Sequence, residues 1–288
     1  MDDKTKLTRR SWIGAIRGAG VAATLGTALP GKAHAQTVTR TNAVALAVLG
    51  DESHNSDAYR TALTATLVED AHLPIDFTDE EKLICYETLQ HYKILILFRN
   101  GTRHPGGYAN IPGNIVSVPP LERKLDRTFV ATITDQQCKD IKRWVQEGGS
   151  LWAWHNNSRL SLMRPDYRDV QGATILGHPP IRPFKVKIIN HDHPITKGVN
   201  DFVVTDEQHF LVYLKDPKDV LAISVNEDGL TYPDKDKKPS TTCEAVWAYE
   251  YGKGRVCFMA PGHAITALWN PEFEKMQKNA VKWLLHQS

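Results

Sequence analysis

Three short, almost uninterrupted apolar runs constrain the fold of this 288-residue chain more than any other feature. They are residues 43–49 (AVALAVL), 94–98 (ILILF) and 151–154 (LWAW). Runs of this length without polar alternation are typical of strands that are buried on both faces, as in a parallel sheet. Stretches with helical periodicity separate the runs and would supply the crossover connections. The sequence therefore predicts an α/β fold, with a mostly parallel sheet and helices on both faces.

The helical patterns have recognisable bounds. Residues 57–70 and 79–90 carry apolar side chains at helical spacing. Thr134 opens a capping-box pattern, which predicts a helix that ends at Gly148. A last helix should begin after Asn270, because the proline that follows fits the first helical turn.

After residue 154 the pattern becomes more β-like, which predicts extra β insertions. The predicted strands cover residues 184–189, 202–205 and 220–225, and a hairpin joins residues 245–249 to 256–259. The segment 101–130 is rich in glycine and proline and has little periodicity, which predicts a long insertion of the kind that forms lids or binding loops. No internal repeat or second linker is evident, so we expect one domain.

The first 35 residues have the features of an export signal. Arg9 and Arg10 precede a mildly apolar stretch rich in glycine and alanine, and Ala33 and Ala35 occupy the positions that a signal peptidase reads. The paired arginines resemble a twin-arginine signal. The alternative is an amphipathic first helix, but Arg17 and four glycines would interrupt its apolar face. We expect residues 1–35 to be a signal peptide and residues 36–288 to form the mature domain. The twin-arginine machinery would export the protein to the periplasm or the medium. After cleavage we expect no stable membrane insertion.

Cleavage would reverse the sign of the net charge. The whole chain has 35 basic and 33 acidic residues, which gives +2, and the signal contains six of the basic and two of the acidic ones. The mature domain would keep 29 basic and 31 acidic residues, a net charge of about −2. It would therefore lack a general attraction for polyanions, and we expect no nucleic-acid partner. The four cysteines include no CxxC pair, so no thiol-bound zinc is predicted, while their disulfide pairing stays open.

Three motifs, in order along the chain, carry a family resemblance. Residues 148–155 (GGSLWAWH) look like the Gly-Gly-strand-His segment of the ThuA-like, trehalose-utilisation family. Residues 192–199 (DHPITKGV) resemble its DHPITKG motif, which is followed by an Asp-Glu pair, here Asp206 and Glu207. Residues 249–256 (YEYGKGRV) and 261–263 (PGH) resemble its C-terminal motif. Together these motifs are far more specific than any one of them alone.

The resemblance implies a flavodoxin-like fold related to the class I glutamine amidotransferases, and a role in sugar catabolism on glycosides or oxidised (3-keto) glucosides. It also excludes one activity. Amidotransferases place a nucleophilic cysteine in the turn where this chain has His155. An imidazole cannot replace the thiolate that forms the thioester, so we expect no glutamine hydrolysis by that route.

Several polar residues follow the predicted strands. His54 follows the run 43–49, Arg99 and Asn100 follow 94–98, His155 and Asn156 follow 151–154, and His263 follows the predicted strand 256–259. Ligands of a doubly wound sheet bind outside the carboxyl ends of its strands, so these side chains are candidates for one site. Histidine suits both proton transfer and metal ligation, and each of these histidines could instead be a structural residue at the sheet edge. Arg99 could simply be a surface charge.

Other candidates come from the later motifs. His178 precedes a proline and could face the site or merely occupy a turn. His193 lies two residues after His191, so both could chelate, although a turn closed by Asp192 explains the motif more simply. Asp206 and Glu207 would point to opposite faces of a strand, so only one should reach the site, and we favour Glu207, with Asp206 structural.

These residues suggest an exported carbohydrate-processing enzyme. A ketone acidifies the neighbouring sugar C–H, so a base, an electrophile for the enolate oxygen and a general acid would suffice for cleavage. We assign Glu207 or His155 as the base, His263 as the acid, Arg99, Asn100, Asn156 and His193 as substrate contacts, and His54 with His178 as ligands of a divalent metal such as Zn²⁺. The alternative is a non-catalytic periplasmic sugar-binding protein. Such proteins usually expose aromatic faces, and here only Trp269 is in an evident loop.

Overall fold

A computed structural model describes residues 42–103 and 129–287 of the chain. The predicted signal and most of the predicted insertion at 101–130 lie outside these residues. The strands, in chain order, are β1 (Ala45–Leu49), β2 (Ile75–Thr78), β3 (Ile94–Phe98), β4 (Thr102–Arg103), β5 (Val130–Ala131), β6 (Ser150–Trp154), β7 (Ala173–Gly177), β8 (Arg182–Ile188), β9 (Phe202–Asp206), β10 (Phe210–Tyr213), β11 (Val220–Val225), β12 (Tyr232–Pro233), β13 (Pro239–Ser240), β14 (Thr242–Tyr251) and β15 (Gly254–Met259). The α-helices are α1 (Ser56–Leu63), α2 (Tyr86–Leu89), α3 (Asp135–Gln146), α4 (Pro165–Gln171), α5 (Ile265–Leu268) and α6 (Pro271–Leu284).

Nine strands form one mixed sheet in the order β2-β1-β3-β6-β15-β14-β11-β8-β9. The first five are parallel to one another. Counted along the chain, these five have the order 2-1-3-4-5, which is the flavodoxin-like arrangement. The other four strands extend the sheet with antiparallel pairs. The predicted flavodoxin-like α/β fold with extra β-structure is confirmed.

The core strands are buried along their whole length. Every residue of β1, β3 and β6 is buried, as expected when helices cover both faces of a sheet. The helices pack in two groups, one with α1, α5 and α6 and the other with α2, α3 and α4. Within the described ranges, no helix combines the length and apolar character needed to cross a membrane.

Local sequence signals are reproduced at several element boundaries. Thr134 and Gln137 form both halves of the predicted capping box at the start of α3. Asn270 caps α6, with proline in its first turn. The predicted hairpin is β14 with β15, in the register that pairs Val246 with Met259. All four cysteines are free thiols.

Two regions differ from the sequence prediction. Residues 79–90 do not form one helix, because Ile84 and Cys85 leave the helical conformation while Ile84 is completely buried. What remains is a 3₁₀ turn followed by the short helix α2. After β6 the chain forms a long 3₁₀ segment (His155–Leu162) and then α4, where only strands were predicted. The bounds of α4 are visible in the sequence, since proline begins it and Gly172 ends it with a left-handed backbone (φ 86°).

A histidine-rich candidate active site

The candidate site lies at the carboxyl edge of the sheet. The chain brings Asp51 and His54 there after β1, His155 after β6 and His263 after β15. Successive antiparallel pairings turn β9 into the direction of the parallel strands, so Glu207, the residue after β9, reaches the same edge. Four loops of the fold thus converge where an α/β sheet usually binds its ligand.

Glu207 is the centre of the cluster. Its Oε2 atom lies 3.4 Å from Nε2 of His155, 3.6 Å from Nε2 of His178, 3.5 Å from Nε2 of His209 and 3.3 Å from Nδ1 of His263. Burial opposes ionisation of this carboxyl group, but the interactions with His155, His209 and His263 outweigh it and hold the pKa of Glu207 well below its usual value. Glu207 is therefore an anion across the physiological range, and a carboxylate with so low a pKa is a weak base.

Asp206 positions the neighbouring loop. Its buried carboxylate accepts hydrogen bonds from the backbone N–H groups of Glu207 (2.7 Å), Gly262 (2.8 Å) and His263 (3.0 Å). These bonds join the end of β9 to the turn after β15. The structural role predicted for Asp206 agrees with these contacts, which also bring Glu207 and His263 together.

His155 occupies a sharp turn directly after β6. Its backbone has a left-handed conformation (φ 40°), which is costly for a residue with a side chain and is typical of functional turns. The ring Nδ1–H donates to the carbonyl of Ala260 (2.7 Å), so Nε2 carries the lone pair and faces Glu207. Gly262 lies so close that an added Cβ would be 3.0 Å from Cβ of His155 and 2.7 Å from Cζ of Phe98, which explains why a glycine is needed there.

His54 is oriented by a buried carboxylate. Its Nδ1 lies 2.8 Å from Oδ1 of Asp51, so Nδ1–H donates and Nε2 keeps the lone pair. The other oxygen of Asp51 accepts from the backbone N–H of Asn100 (2.8 Å) and from the side-chain amide of Asn156 (2.6 Å). Burial lowers the pKa of His54 although Asp51 opposes this shift, which leaves the imidazole neutral.

His209 and Asp51 belong to the site but were not predicted from the sequence. His209 is buried, stacks on the His155 ring (4.0 Å between centroids, 24° between planes) and faces Glu207. It lies two residues after Glu207, so the alternation of an extended segment could have indicated it. Asp51 could have been found by the same strand-end rule that selected His54.

Three of the predicted substrate contacts have other partners. The guanidinium of Arg99 is bound to the carboxylate of Glu81 and to the carbonyl of Gly50. The backbone N–H of Asn100 and the side-chain amide of Asn156 both donate to Asp51. They therefore help to hold the carboxylate that orients His54.

The structure does not bring His193 to the site. Its Nδ1 accepts from the backbone N–H of Ile195 (3.2 Å), and its ring packs on Trp283 (5.3 Å between centroids). The physical reason is the direction of β8, which runs opposite to the parallel strands. The loop that follows it therefore lies at the amino edge of the sheet, near Arg255 at the start of β15.

His193 should instead affect acid stability. Burial, with Arg255 nearby, lowers its pKa to about 4. Because the folded-state pKa lies below the unfolded value of about 6.5, its contribution is present above pH 6.5 and is lost as the pH falls towards 4. We expect His193→Asn to remove roughly 1–2 kcal/mol of the stability loss over this interval. Urea denaturation at pH 7 and 4.5 checks this result, with the exposed His191→Asn as the matched control. Equal losses in wild type and His193→Asn would contradict it.

Two overlapping groups in the described ranges could hold a metal ion. His54, His155, Glu207 and His263 each offer one ligand atom, and these atoms all lie within 4.8 Å of one another. His178, Glu207 and His209 form a second group on the same carboxylate. His54 and His178, which were predicted to bind the same metal ion, therefore belong to different groups.

Two histidines of the cluster are open to solvent. The side chains of His178 and His263 are 31% and 27% exposed, whereas those of His54, His155 and His209 are nearly or completely buried. A small molecule that enters from solvent would meet His178 and His263 before the buried rings. The arrangement can transfer protons at its exposed side and stabilise charge at its buried side.

Comparison with known proteins identifies the family. A family model described as "ThuA: Trehalose utilisation" matches residues 44–284. The chain belongs to the ThuA family. No curated protein sequence matches this ThuA chain significantly.

Solved structures show the same fold. A ThuA-like protein from Bacteroides uniformis has a TM-score of 0.58 at 17% identity, over 86% of this chain and 94% of that one. A ThuA-like protein from Parabacteroides merdae has a TM-score of 0.57 at 16% identity, over 83% and 88%. A β-galactosidase from Bacillus circulans sp. alkalophilus has a TM-score of 0.50 at 11% identity, over 84% of this chain but only 31% of the enzyme. At these identities the likeness establishes the fold alone.

Proposed function

We propose that this ThuA protein is an exported enzyme that cleaves oxidised (3-keto) glucosides by acid–base chemistry at the Glu207 cluster. The observation that carries the proposal is one ionised carboxylate in contact with four histidines at the carboxyl edge of the sheet. Two of these histidines are open to solvent. A substrate-binding surface alone needs no such set of titratable groups, whereas proton transfer does. Membership of a trehalose-utilisation family supports a glucoside as substrate.

The chemistry is a proton abstraction followed by elimination. The ketone at C3 acidifies the C–H bond at C2, and a base that removes this proton forms an enolate. When the ketone re-forms, the electron pair creates the C1=C2 double bond and the C1–O bond to the leaving sugar breaks. The proton then goes to the departing oxygen. The protein must supply a base that can return the proton and an electrophile for the enolate oxygen.

His178 fits the proton-transfer role. Its Nδ1–H donates to the carbonyl of Pro179 (3.0 Å), so Nε2 holds the lone pair on the side of Glu207. Burial lowers the pKa of His178, which keeps the ring neutral and able to accept a proton. Glu207, 3.6 Å away, would stabilise the imidazolium that forms. His54 and His155 cannot donate to the enolate oxygen, because their Nδ1–H groups are already used and their Nε2 atoms carry lone pairs. Burial lowers the pKa of His263, but Glu207 and Asp206 raise it above its usual value, so His263 would hold the proton that stabilises this oxygen. These assignments replace the sequence-based roles of Glu207 or His155 as base and His178 as metal ligand.

A substrate screen with a matched variant tests the proposal. The mature protein should cleave 3-keto-trehalose or another 3-keto disaccharide, and His178→Asn should lower kcat/KM by about 10²–10⁴-fold. The exposed His191→Asn serves as the control and should keep wild-type activity. Absence of turnover of every 3-keto glucoside by the folded wild type would refute the function, and wild-type activity in His178→Asn would refute the role of His178.

Export can be tested separately. If the twin-arginine resemblance is functional, Arg9→Lys combined with Arg10→Lys should leave the protein in the cytoplasm, because the arginine pair is the determining feature of such signals. Cell fractionation and the mass of the exported form check the result, with cleavage after Ala35 expected. The control is Lys4→Arg combined with Lys6→Arg, which should leave export unchanged. Equal export of the twin-lysine variant would contradict this route.

The exposed side chain of Trp269 favours a second candidate function, that of a non-catalytic sugar-binding protein. Its side chain is 40% exposed at the end of α5, six residues after His263, while the other tryptophans of the described ranges are buried. An exposed indole is a suitable platform for a sugar ring. If this candidate is correct, Trp269→Ala should abolish binding of a sugar that the wild type binds and does not convert.

A further inference from the structure

Four buried imidazole nitrogens of the Glu207 cluster have no hydrogen-bond partner. One of them, Nδ1 of His209, belongs to a ring that faces Glu207 through its other nitrogen. The remaining three are Nε2 of His54, Nε2 of His155 and Nδ1 of His263. The first two belong to residues that are only 7% and 0% exposed. A buried polar atom without a partner costs about 1–3 kcal/mol, so a group of such atoms facing one point calls for a ligand.

In two of these rings, a hydrogen bond from Nδ1–H leaves the lone pair on Nε2, the nitrogen that lies in the cluster. His54 donates through Nδ1–H to Asp51, and His155 donates through Nδ1–H to the carbonyl of Ala260. Each ring therefore presents an unprotonated Nε2 to the cluster. A carboxylate or carbonyl behind the imidazole is the usual support of a metal-bound histidine.

The spacing of the ligand atoms suits a metal ion. Oε2 of Glu207 lies 3.4 Å from Nε2 of His155 and 3.3 Å from Nδ1 of His263. Ligands about 2.0–2.1 Å from a tetrahedral Zn²⁺ lie roughly 3.3 Å from one another. All four ligand atoms, including one from His54, lie within 4.8 Å of each other. His54 therefore lies near enough to the other three residues to supply a fourth ligand.

The alternative group, His178 with Glu207 and His209, is a weaker candidate. It offers three ligand atoms rather than four, and the side chain of His178 is 31% exposed. It also has no carboxylate comparable with Asp51 among the contacts of its rings that the structure describes. The set with three histidines and one carboxylate therefore accounts for more of the observations.

We propose that His54, His155, His263 and Glu207 bind one divalent transition-metal ion, for which Zn²⁺ is the best match. Imidazole nitrogens favour Zn²⁺ over Mg²⁺, which prefers oxygen ligands and keeps its water. Within the proposed function, on which only this part of the inference rests, the ion would be the electrophile for the ketone oxygen. His263 would then act as a ligand rather than as the general acid predicted from the sequence.

Metal titration of the mature protein tests the site without any substrate. Protein stripped with a chelator should bind one Zn²⁺ per chain and gain thermal stability, whereas Mg²⁺ should give neither result. Co²⁺ should give visible ligand-field absorption. His54→Ala and His263→Ala should lower Zn²⁺ affinity by at least about 100-fold, and Asp51→Asn, behind the ligand, by about 10–100-fold. His178→Asn and the exposed His191→Ala should keep the wild-type affinity.

Three results would overturn the proposal. They are a wild-type chain that binds no Zn²⁺, an unchanged affinity in both His54→Ala and His263→Ala, or a loss in His178→Asn alone. Circular dichroism of each variant separates loss of a ligand from loss of the fold, and His263, the most exposed of the three histidines, gives the variant that disturbs the core least. Turnover by the metal-free protein would exclude the ion as the electrophile but would leave both the metal site and the proposed function intact. Zn²⁺ binding without turnover of any 3-keto glucoside would support the metal site and refute the proposed function.

Discussion

Replacing Glu207 by glutamine should lower kcat/KM for a 3-keto glucoside by at least about 10³-fold. The variant keeps the size of the side chain but removes the negative charge that faces His155, His178, His209 and His263. Without that charge, the imidazolium formed during proton transfer loses its counter-ion. Removal of a single preorganised group commonly costs about 10²–10³-fold, and Glu207 serves several groups at once.

Steady-state kinetics of Glu207→Gln checks this expectation. Glu227→Gln is the matched control, since Glu227 is an exposed residue whose partner is Lys185 and which lies outside the cluster. Thermal unfolding should show that both variants remain folded. A Glu207→Gln protein with more than a tenth of the wild-type activity would contradict the central place of this carboxylate.

Replacing Asp206 by alanine should destabilise the protein by roughly 3–5 kcal/mol. The substitution leaves three backbone N–H groups without their acceptor, those of Glu207, Gly262 and His263. The side chain of Asp206 is completely buried, so water cannot readily take its place. Each buried donor left unsatisfied costs about 1–3 kcal/mol. The same loss would free the turn after β15 and move His263 away from Glu207.

Urea denaturation gives the free energy of unfolding for this test. Asp206→Asn should show a smaller loss than Asp206→Ala, because its amide oxygen can still accept from the N–H groups of Glu207 and His263. Asp201→Ala provides a comparison, since Asp201 accepts one backbone N–H bond from Ile188 outside the cluster. If Asp206→Ala unfolds at the wild-type urea concentration, the carboxylate does not hold the two loops together.

The fold was largely predictable because its signals are local. Buried runs such as Ile94–Phe98 and caps such as Thr134 report their own conformation without knowledge of their neighbours. The predicted helix at 79–90 was wrong for the opposite reason. Burial of Ile84 depends on tertiary packing, and this packing overrides the helical pattern.

The site was predictable only where strand direction was known. His54, His155 and His263 follow parallel strands, so the carboxyl-edge rule placed them correctly in space. His193 follows β8, whose antiparallel direction sends the loop to the opposite edge. The direction of an added strand depends on its pairing partners, which the sequence of β8 does not reveal. His209 was overlooked although its spacing from Glu207 was informative.

The His155 turn shows how one backbone can serve different chemistry. The strained conformation directly after a central strand is the one that α/β enzymes use to expose a nucleophile. Here it carries an imidazole that is fixed by the Ala260 carbonyl. None of the four cysteines follows β6, so the glutaminase chemistry of the related fold has no thiolate at this turn.

Solvent exchange of the sugar C2 proton is the most direct test of the account. The mature wild-type protein, incubated with 3-keto-trehalose in D₂O, should catalyse deuterium incorporation at C2 or release of the second sugar, as followed by NMR. Glu207→Gln should lower the rate of both processes by at least about 10³-fold, while Glu227→Gln should not. A wild type that gives neither exchange nor cleavage, or a Glu207→Gln variant that gives both at the wild-type rate, would contradict acid–base cleavage at the Glu207 cluster.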